Sequence, residues 1–337
     1  MTRKSILLVA LVLLAAAPPL QAADEVVLFP YFLGNGESGV YLAYSNDGRT
    51  FQSLNDARPI FTPPKWPDGQ HLTRDPSIVF HDGQFHMVWT SNWSGRIFGY
   101  ANSPDLVTWS PPLQITPFAV SLPEEDQPDN VWAPEIHFDP VQENFQIVFS
   151  STTPREEHDG DGSADSHGFD HRPYEIRTED FQTFTPAKVL FDQGFSVIDA
   201  QLTRDGDRWV MVVKRETPPP GGKNLRLTFN NLKQSGEWSP VGEPILGPGS
   251  QLRPQEQVEG PCLIRFGGQW LLYADAFTSH HYTLVTPPDL ETWTDETDKL
   301  SFPVANPRHG TALVVDRERV GWFAESSDDD SSVSRSW

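Results

Sequence analysis

The sequence contains a single cysteine, Cys262, among 337 residues. No intrachain disulfide can therefore form, and the position of Cys262 after Pro261 in an apolar segment predicts a buried small side chain. Basic residues are also scarce, because 25 Lys and Arg stand against 46 Asp and Glu, for a formal net charge of −21. A chain this acidic repels nucleic acid and anionic membrane surfaces, so neither is expected as a partner.

Stretches with helical periodicity are few, whereas proline is abundant with 31 residues, a composition that predicts an all-β, loop-rich protein. The apolar run ILLVALVLLAAA follows Arg3 and Lys4 and ends in small residues near Ala22. It predicts a secretory signal peptide over residues 1–22, too short for a membrane anchor, and hence a periplasmic or secreted protein. The acidic stretch 326–337 is predicted to be a disordered tail, which leaves 23–325 as one domain.

A motif that the sequence does contain occurs five times. Each copy opens with a charged or titratable residue, continues through a short apolar strand, turns at Asp or Gly, and returns in a second apolar strand. The opening residues are Asp75, Glu135, Asp199, Glu259 and His309, which lie 60, 64, 60 and 50 positions apart. A second motif, a polar turn followed by an aromatic residue, ends at Phe51, Trp109, Phe184 and Trp293.

Self-similarity of this kind predicts a five-bladed β-propeller, in which each unit forms one small antiparallel sheet. The first strand of each unit is expected to line the central axis, with its opening residue at one mouth of the channel. Residues 25–55 match the later strands of a unit but lack an inner strand, whereas HGTALVVD from His309 lies at the other end of the chain. The N- and C-terminal strands are therefore predicted to share a blade and close the ring.

Three of the opening residues, Asp75, Asp199 and Glu259, are acids that we expect at equivalent positions of three units. Burying several carboxylates at one narrow mouth is unfavourable unless they serve a function. Crowding drives their pKa values apart, so that one stays ionised while another holds its proton. Glycoside hydrolysis needs such a division, because an acid protonates the leaving oxygen while a second carboxylate activates water or attacks carbon.

Five short motifs occur in the order RDPSI from Arg74, NVWAPEI from Asn130, VIDAQL from Val197, VEGP from Val258 and RHGT from Arg308. With these motifs the sequence resembles glycoside hydrolase family 43, the five-bladed propeller arabinofuranosidases, xylosidases and arabinanases, over nearly the whole mature chain. The resemblance implies that Asp75 is the general base and Glu259 the general acid. It also implies that Asp199 is the carboxylate that raises the pKa of the acid and orients it. It also implies inversion, with base and acid carboxyls roughly 6.5–9.5 Å apart.

The same resemblance places His309 at the axial histidine that many members hold near a water-filled channel or a calcium ion. A structural calcium ion in the central channel is therefore one expectation, and no obligatory cofactor is implied. Trp109 and Trp293, at the repeat position, are expected to pack inside blades.

Sugar recognition needs flat apolar faces and a few directed polar groups. Trp132 is the favoured platform, Trp89 and Trp93 are expected at the rim, and Glu135 is either a substrate contact or a structural group. The predicted substrate-binding residues are Arg74, Trp132, Asn130, Glu135, His171, Trp93 and Arg308.

The expected partner is an oligosaccharide or polysaccharide, and the expected activity is that of a monomeric, exo-acting α-L-arabinofuranosidase. β-D-Galactofuranosidase, β-D-xylosidase and exo-β-galactanase activities remain open alternatives. A retaining fructosidase-type propeller is a further alternative, although its Arg-Asp-Pro motif marks a later blade and here that motif comes first. A propeller that binds carbohydrate without cleaving it is the alternative from another functional class.

Overall fold

The computed structural model describes residues 25–152, 167–231 and 237–320. The signal peptide predicted over 1–22 and the tail predicted over 326–337 lie outside these ranges, and both stay predictions. Across the described ranges, no helix has the length and apolar character needed to span a bilayer, and helix is limited to four short 3₁₀ segments.

The strands form five antiparallel sheets, which confirms the all-β propeller. Blade 1 contains β4 (Arg74–His81), β5 (Gln84–Thr90), β6 (Phe98–Ser103) and β7 (Leu113–Ile115). Blade 2 contains β8 (Trp132–Asp139), β9 (Asn144–Thr152), β10 (His171–Thr178) and β11 (Lys188–Val189). Blade 3 contains β12 (Val197–Asp205), β13 (Arg208–Arg215) and β14 (Asn224–Asn231). Blade 4 contains β15 (Glu259–Phe266), β16 (Gln269–Ala276), β17 (His281–Thr286) and β18 (Thr294–Asp295).

Blade 5 combines the two ends of the described chain. It contains β1 (Glu25–Phe32), β2 (Val40–Ser45), β3 (Gln52–Ser53) and, as its inner strand, β19 (Leu313–Asp316). β19 pairs antiparallel with β1, so strands from both ends of the chain close the ring, as predicted, and the structure divides the blade into one C-terminal and three N-terminal strands. The inner strands β4, β8, β12, β15 and β19 each contact the next, and β19 contacts β4, which completes a closed ring around the axis.

The turn between the third and fourth strands explains the second sequence repeat. In four blades an aspartate oxygen accepts two backbone N–H groups within the turn, at distances of 2.7–2.9 Å. These aspartates are Asp47, Asp105, Asp180 and Asp289. Trp109 and Trp293, which follow such turns, pack against the apolar cores of neighbouring strands, as expected.

Trp89 belongs to the core, so the prediction that it lines the rim of the site is wrong. Its ring is fully buried, with ring centroids 4.9 Å from Phe61 and 6.2 Å from Trp66. Gly99 lies directly opposite on β6 and provides the space, because a Cβ there would come within 2.0 Å of the indole. Trp89 therefore points away from the channel, between blades.

Candidate active site

Four inner strands carry a β-bulge within their first three residues. The register shifts between Arg74 and Ser77 in β4, and equivalent shifts occur in β8, β12 and β15. The first residue of each bulge has a positive φ of 45–54°: Asp75, Ala133, Asp199 and Gly260. A bulge inserts an extra residue and re-aims the side chains around it.

This register corrects the predicted equivalence of the three acids. Asp75 and Asp199 do occupy equivalent bulge positions. Glu259 instead lies one residue earlier, at the position of Arg74 and Trp132, and pairs across the sheet with Asp275. The three acids nevertheless converge, because Asp199 interacts electrostatically with both Asp75 and Glu259.

Asp75 is held by His309, which comes from the opposite end of the chain. The His309 Nδ1 atom lies 3.1 Å from Asp75 Oδ1, and both side chains are almost buried. Burial disfavours the charged imidazole, but the carboxylates of Asp75 and Asp199 outweigh it and raise the pKa of His309 to about 9. Burial likewise opposes ionisation of Asp75, yet His309 and Arg74 hold the pKa of Asp75 below its usual range. Asp75 is therefore an ionised carboxylate at neutral pH.

Gly260 connects the two remaining acids. Its N–H donates to Asp199 Oδ2 at 3.1 Å, so Asp199 fixes the strand that begins at Glu259. A Cβ at this position would lie 2.4 Å from the His309 ring, and this close approach requires glycine.

Two cations, Lys214 and Arg308, hold the carboxylate of Glu259. The sequence analysis did not single out Lys214, and it predicted Arg308 to bind substrate. Lys214 Nζ lies 3.1 Å from Glu259 Oε2, and Arg308 Nη2 donates to Glu259 Oε1 at 2.8 Å. Arg308 also donates through Nε to Asp275 Oδ2 at 2.7 Å. This residue, which was predicted to bind the sugar, therefore pairs with two carboxylates.

The charges around Glu259 and Asp199 favour a different location for the proton from the one that the sequence led us to expect. Burial opposes ionisation of Glu259, but Lys214, His309 and Arg308 together hold its pKa below the usual range. Burial raises the pKa of Asp199, and the carboxylates of Glu259 and Asp75 add to that effect. The structure thus favours the proton on Asp199, where the sequence led us to expect it on Glu259.

The profile of a family related to glycoside hydrolase family 43, described as "Probable glycosyl hydrolase domain", matches residues 24–320. The chain belongs to this family. The predicted family resemblance and the predicted glycoside hydrolase class are both confirmed. A search of curated proteins gave no match.

Solved structures show the same fold as this family-43-related hydrolase. A thermostable family-43 glycoside hydrolase is 19% identical, with a TM-score of 0.51 over 70% of this chain and 78% of its own. The xylan β-1,4-xylosidase of Bacillus halodurans C-125 is 18% identical, with a TM-score of 0.50 over 68% of this chain and 42% of its own.

One wall of the hydrolase site is built from aromatic and cationic side chains. Trp132 Nε1 donates to the Trp93 carbonyl at 2.8 Å, the two indoles meet edge to face, and the Trp132 ring stacks on His171 with centroids 4.9 Å apart. The Arg74 guanidinium lies 4.0 Å from the Trp93 ring centroid. Trp93 is 54% exposed, so this wall offers apolar surface beside Arg74, the residue that precedes Asp75.

Asn130 and Glu135, also predicted to bind substrate, contact the scaffold. The Asn130 side-chain oxygen accepts the Thr152 N–H at 3.1 Å. Glu135 accepts hydrogen bonds from Ser77 and Thr311 at 2.9 and 3.3 Å, two residues further along the inner strand than the bulge. Burial raises the pKa of Glu135 to about 7.

The calcium ion suggested near His309 stays a prediction. Within 25–152, 167–231 and 237–320, no group of three or more His, Cys, Asp or Glu side chains is arranged to hold a metal ion. His309 Nδ1 faces Asp75 Oδ1 at 3.1 Å.

The His309–Asp75 pair predicts a pH-dependent stability. His309 has an ordinary pKa of 6.5 and a pKa of about 9 in the folded protein. The charged ring therefore contributes its full stabilisation of the fold below pH 6.5, and this contribution is lost as the pH rises through 9. Replacement by glutamine is expected to cost about 3–5 kcal/mol at low pH, as for breaking a buried ion pair. Thermal unfolding of wild type and His309→Gln between pH 6 and pH 10 measures this. A difference that stays constant across that range would contradict the pairing.

Proposed function

We propose that this hydrolase is a secreted, inverting, exo-acting enzyme that removes terminal sugars from plant-type polysaccharide side chains or oligosaccharides. The expected substrate is an α-L-arabinofuranoside. The convergence of Asp75, Asp199 and Glu259 at one end of the inner strands, with cations distributed unequally among them, carries the proposal. Unequal environments separate the roles of carboxylates that share a site.

In this proposal Asp75 is the general base. A base must be unprotonated at working pH and close to the water that it activates. The charged His309 keeps Asp75 ionised and fixes one of its oxygens, Oδ1. The second oxygen accepts the proton of the water that attacks the anomeric carbon.

Glu259 is the proposed general acid, and Asp199 is its partner. The Glu259 side chain is 17% exposed, compared with 9% for Asp75, so Glu259 is the more accessible to a leaving oxygen. The raised pKa of Asp199 keeps a proton next to Glu259, and the two carboxyls titrate as a pair. The proton passes from this pair to the glycosidic oxygen as the C–O bond breaks.

The walls of the site favour a terminal sugar. The acids are recessed, whereas Trp93 is exposed and packs on Arg74, the residue before Asp75, an arrangement that suits stacking of one sugar ring above the channel mouth. β-D-Xylosidase activity is the first alternative, because one structural relative is a xylan β-1,4-xylosidase. β-D-Galactofuranosidase and exo-β-galactanase activities use the same acids and stay in the test.

The test is a hydrolysis screen of the mature protein on aryl α-L-arabinofuranoside, β-D-xyloside, β-D-galactofuranoside and β-D-galactopyranoside, with β-1,3-galactan as a polymeric substrate. Asp75→Asn, run in parallel, gives the background rate. Cleavage of the arabinofuranoside by the wild type alone supports the proposal, and cleavage of another sugar alone replaces it with the matching alternative. If none is cleaved, saturable binding of arabino-oligosaccharides would favour the carbohydrate-binding propeller over the proposed enzyme.

A further inference from the structure

The residue opposite the start of each inner strand has the same task in three blades. Thr90, Ser150 and Asp275 face Arg74, Trp132 and Glu259 across the first hairpin of blades 1, 2 and 4. Each of the three accepts a backbone N–H from the following blade. Thr90 Oγ1 accepts from Ala133 at 2.7 Å, Ser150 Oγ from Asp199 at 3.1 Å, and Asp275 Oδ2 from His309 at 3.1 Å.

Blade 3 departs from this pattern. Lys214 faces Ile198 in the equivalent register, and an ammonium group cannot accept a hydrogen bond. The N–H of Gly260 in the following blade therefore bonds to Asp199 Oδ2 instead. Lys214 extends to the acid, with Nζ 3.1 Å from Glu259 Oε2 and 2.9 Å from Glu216 Oε2.

A lysine at this position carries an energetic cost that the other three blades avoid. Its side chain is only 2% exposed, and a buried ammonium is unfavourable unless it is paired. Glu216 would satisfy the charge alone, yet Glu216 is also paired with Lys223. Lys214 is therefore also directed at Glu259, where Arg308 already holds the other carboxylate oxygen.

From this departure we propose that Lys214 is a positioning residue for the proton donor: it fixes Glu259 Oε2 and sets the pH at which Glu259 gains its proton. The inference rests on the proposed role of Glu259 as general acid. With Oε1 on Arg308 and Oε2 on Lys214, the carboxyl has one orientation. Each cation disfavours the protonated form, so this clamp restricts the enzyme to acidic conditions.

The direct test measures the titration of Glu259 without any substrate. Protein labelled with ¹³C at the glutamate carboxyl carbon is titrated by NMR, and the Glu259 signal is assigned by its loss in Glu259→Gln. In Lys214→Met the midpoint is expected to move up by roughly 1–3 pH units, the range for removal of one adjacent opposite charge. Lys214→Arg keeps the charge and is expected to restore the wild-type midpoint.

Two controls separate this role from a purely structural one. Lys188→Met removes a lysine that is 69% exposed and paired with Glu175 on blade 2, and it should leave the midpoint unchanged. Lys214→Gln provides a second neutral variant if Lys214→Met does not fold. A midpoint that stays at the wild-type value in a folded neutral variant overturns the inference.

Kinetics then distinguish failure of this inference from failure of the proposed function. On the glycoside found in the screen, the alkaline limb of kcat/KM is expected to move up in Lys214→Met by the same amount as the NMR midpoint. A shifted midpoint with an unmoved limb means that Glu259 is not the acid, so the catalytic role proposed for Glu259 fails and the clamp remains. An unmoved midpoint in an enzyme whose limb vanishes in Glu259→Gln overturns the Lys214 inference alone.

Discussion

Asp75→Asn is expected to lower kcat/KM by about 10²–10⁴-fold on every glycoside that the wild type cleaves, the range for loss of a general base. Asparagine preserves the size of the side chain but cannot accept the proton of the attacking water. His309, which lies 3.1 Å from Asp75, would then lack its anionic partner, and part of the loss reflects that unpaired charge. Steady-state kinetics of the purified variant measure the loss.

Azide separates the base role from general damage to the site. A small anionic nucleophile needs no base, so azide is expected to restore turnover in Asp75→Ala and to give a glycosyl azide of inverted configuration. The stereochemistry of the azide and of the wild-type product is read by NMR. A product that retains its configuration would contradict both the assignment of Asp75 and the inverting mechanism.

A matched substitution controls for the change in charge. Asp298 is exposed in a short 3₁₀ segment of blade 4, and Asp298→Asn removes one negative charge without touching the channel. Its kcat/KM is expected to equal that of the wild type. A similar loss in both variants would assign the effect to net charge and not to Asp75.

The architecture could be predicted from the sequence because each unit repeats local chemistry. The aspartates of the turn motif, such as Asp105, cap their own turns through short-range hydrogen bonds, so the same few residues recur in each unit. The shared blade was also predictable, because residues 25–55 supply outer strands and HGTALVVD supplies the missing inner strand. These features depend on strand and turn preferences that act over a few positions.

The level of each acid in the channel could not be predicted in the same way. It depends on a bulge with positive φ, which glycine signals at Gly260 but which Asp75, Ala133 and Asp199 adopt without a clear sequence signature. A motif alignment therefore placed Glu259 level with Asp75, although the backbone offsets the two by one residue. Glu135 was also placed level with Asp75, although it lies two residues after Ala133, the residue of its own strand that is equivalent to Asp75.

Lys214 was missed because its partner lies 45 residues away in the next blade. The available signal was a lysine within the apolar strand RWVMVVKR, where a charge must be paired. Trp89 shows the converse error, since its proximity in sequence to Asp75 suggested the rim while the strand directs it between blades. Contacts between blades are long-range and do not appear in the local pattern.

The pairing of Glu259 with Lys214 and Arg308 conflicts with its proposed role as general acid. A general acid must carry a proton, yet Lys214 and Arg308 favour the ionised form, and the nearby proton is favoured on Asp199. Two assignments follow from this conflict: Glu259 is the donor and draws its proton from the pair, or Asp199 donates directly. The dependence of rate on the leaving group distinguishes them.

Glu259→Gln is expected to lower kcat/KM by about 10²–10⁴-fold on a glycoside with an alkyl or sugar leaving group, and by far less on a dinitrophenyl glycoside. The reason is that a dinitrophenolate departs without a proton, whereas an alkoxide does not. Asp199→Asn is expected to slow both substrates to a similar degree, because Asp199 holds the Gly260 N–H and so positions the strand that begins at Glu259. Glu291→Gln, at an exposed turn of blade 4, is the matched control and should leave both rates unchanged. If Asp199→Asn instead shows the selective loss and Glu259→Gln does not, Asp199 is the proton donor, and Glu259 acts only to bind Lys214 and Arg308.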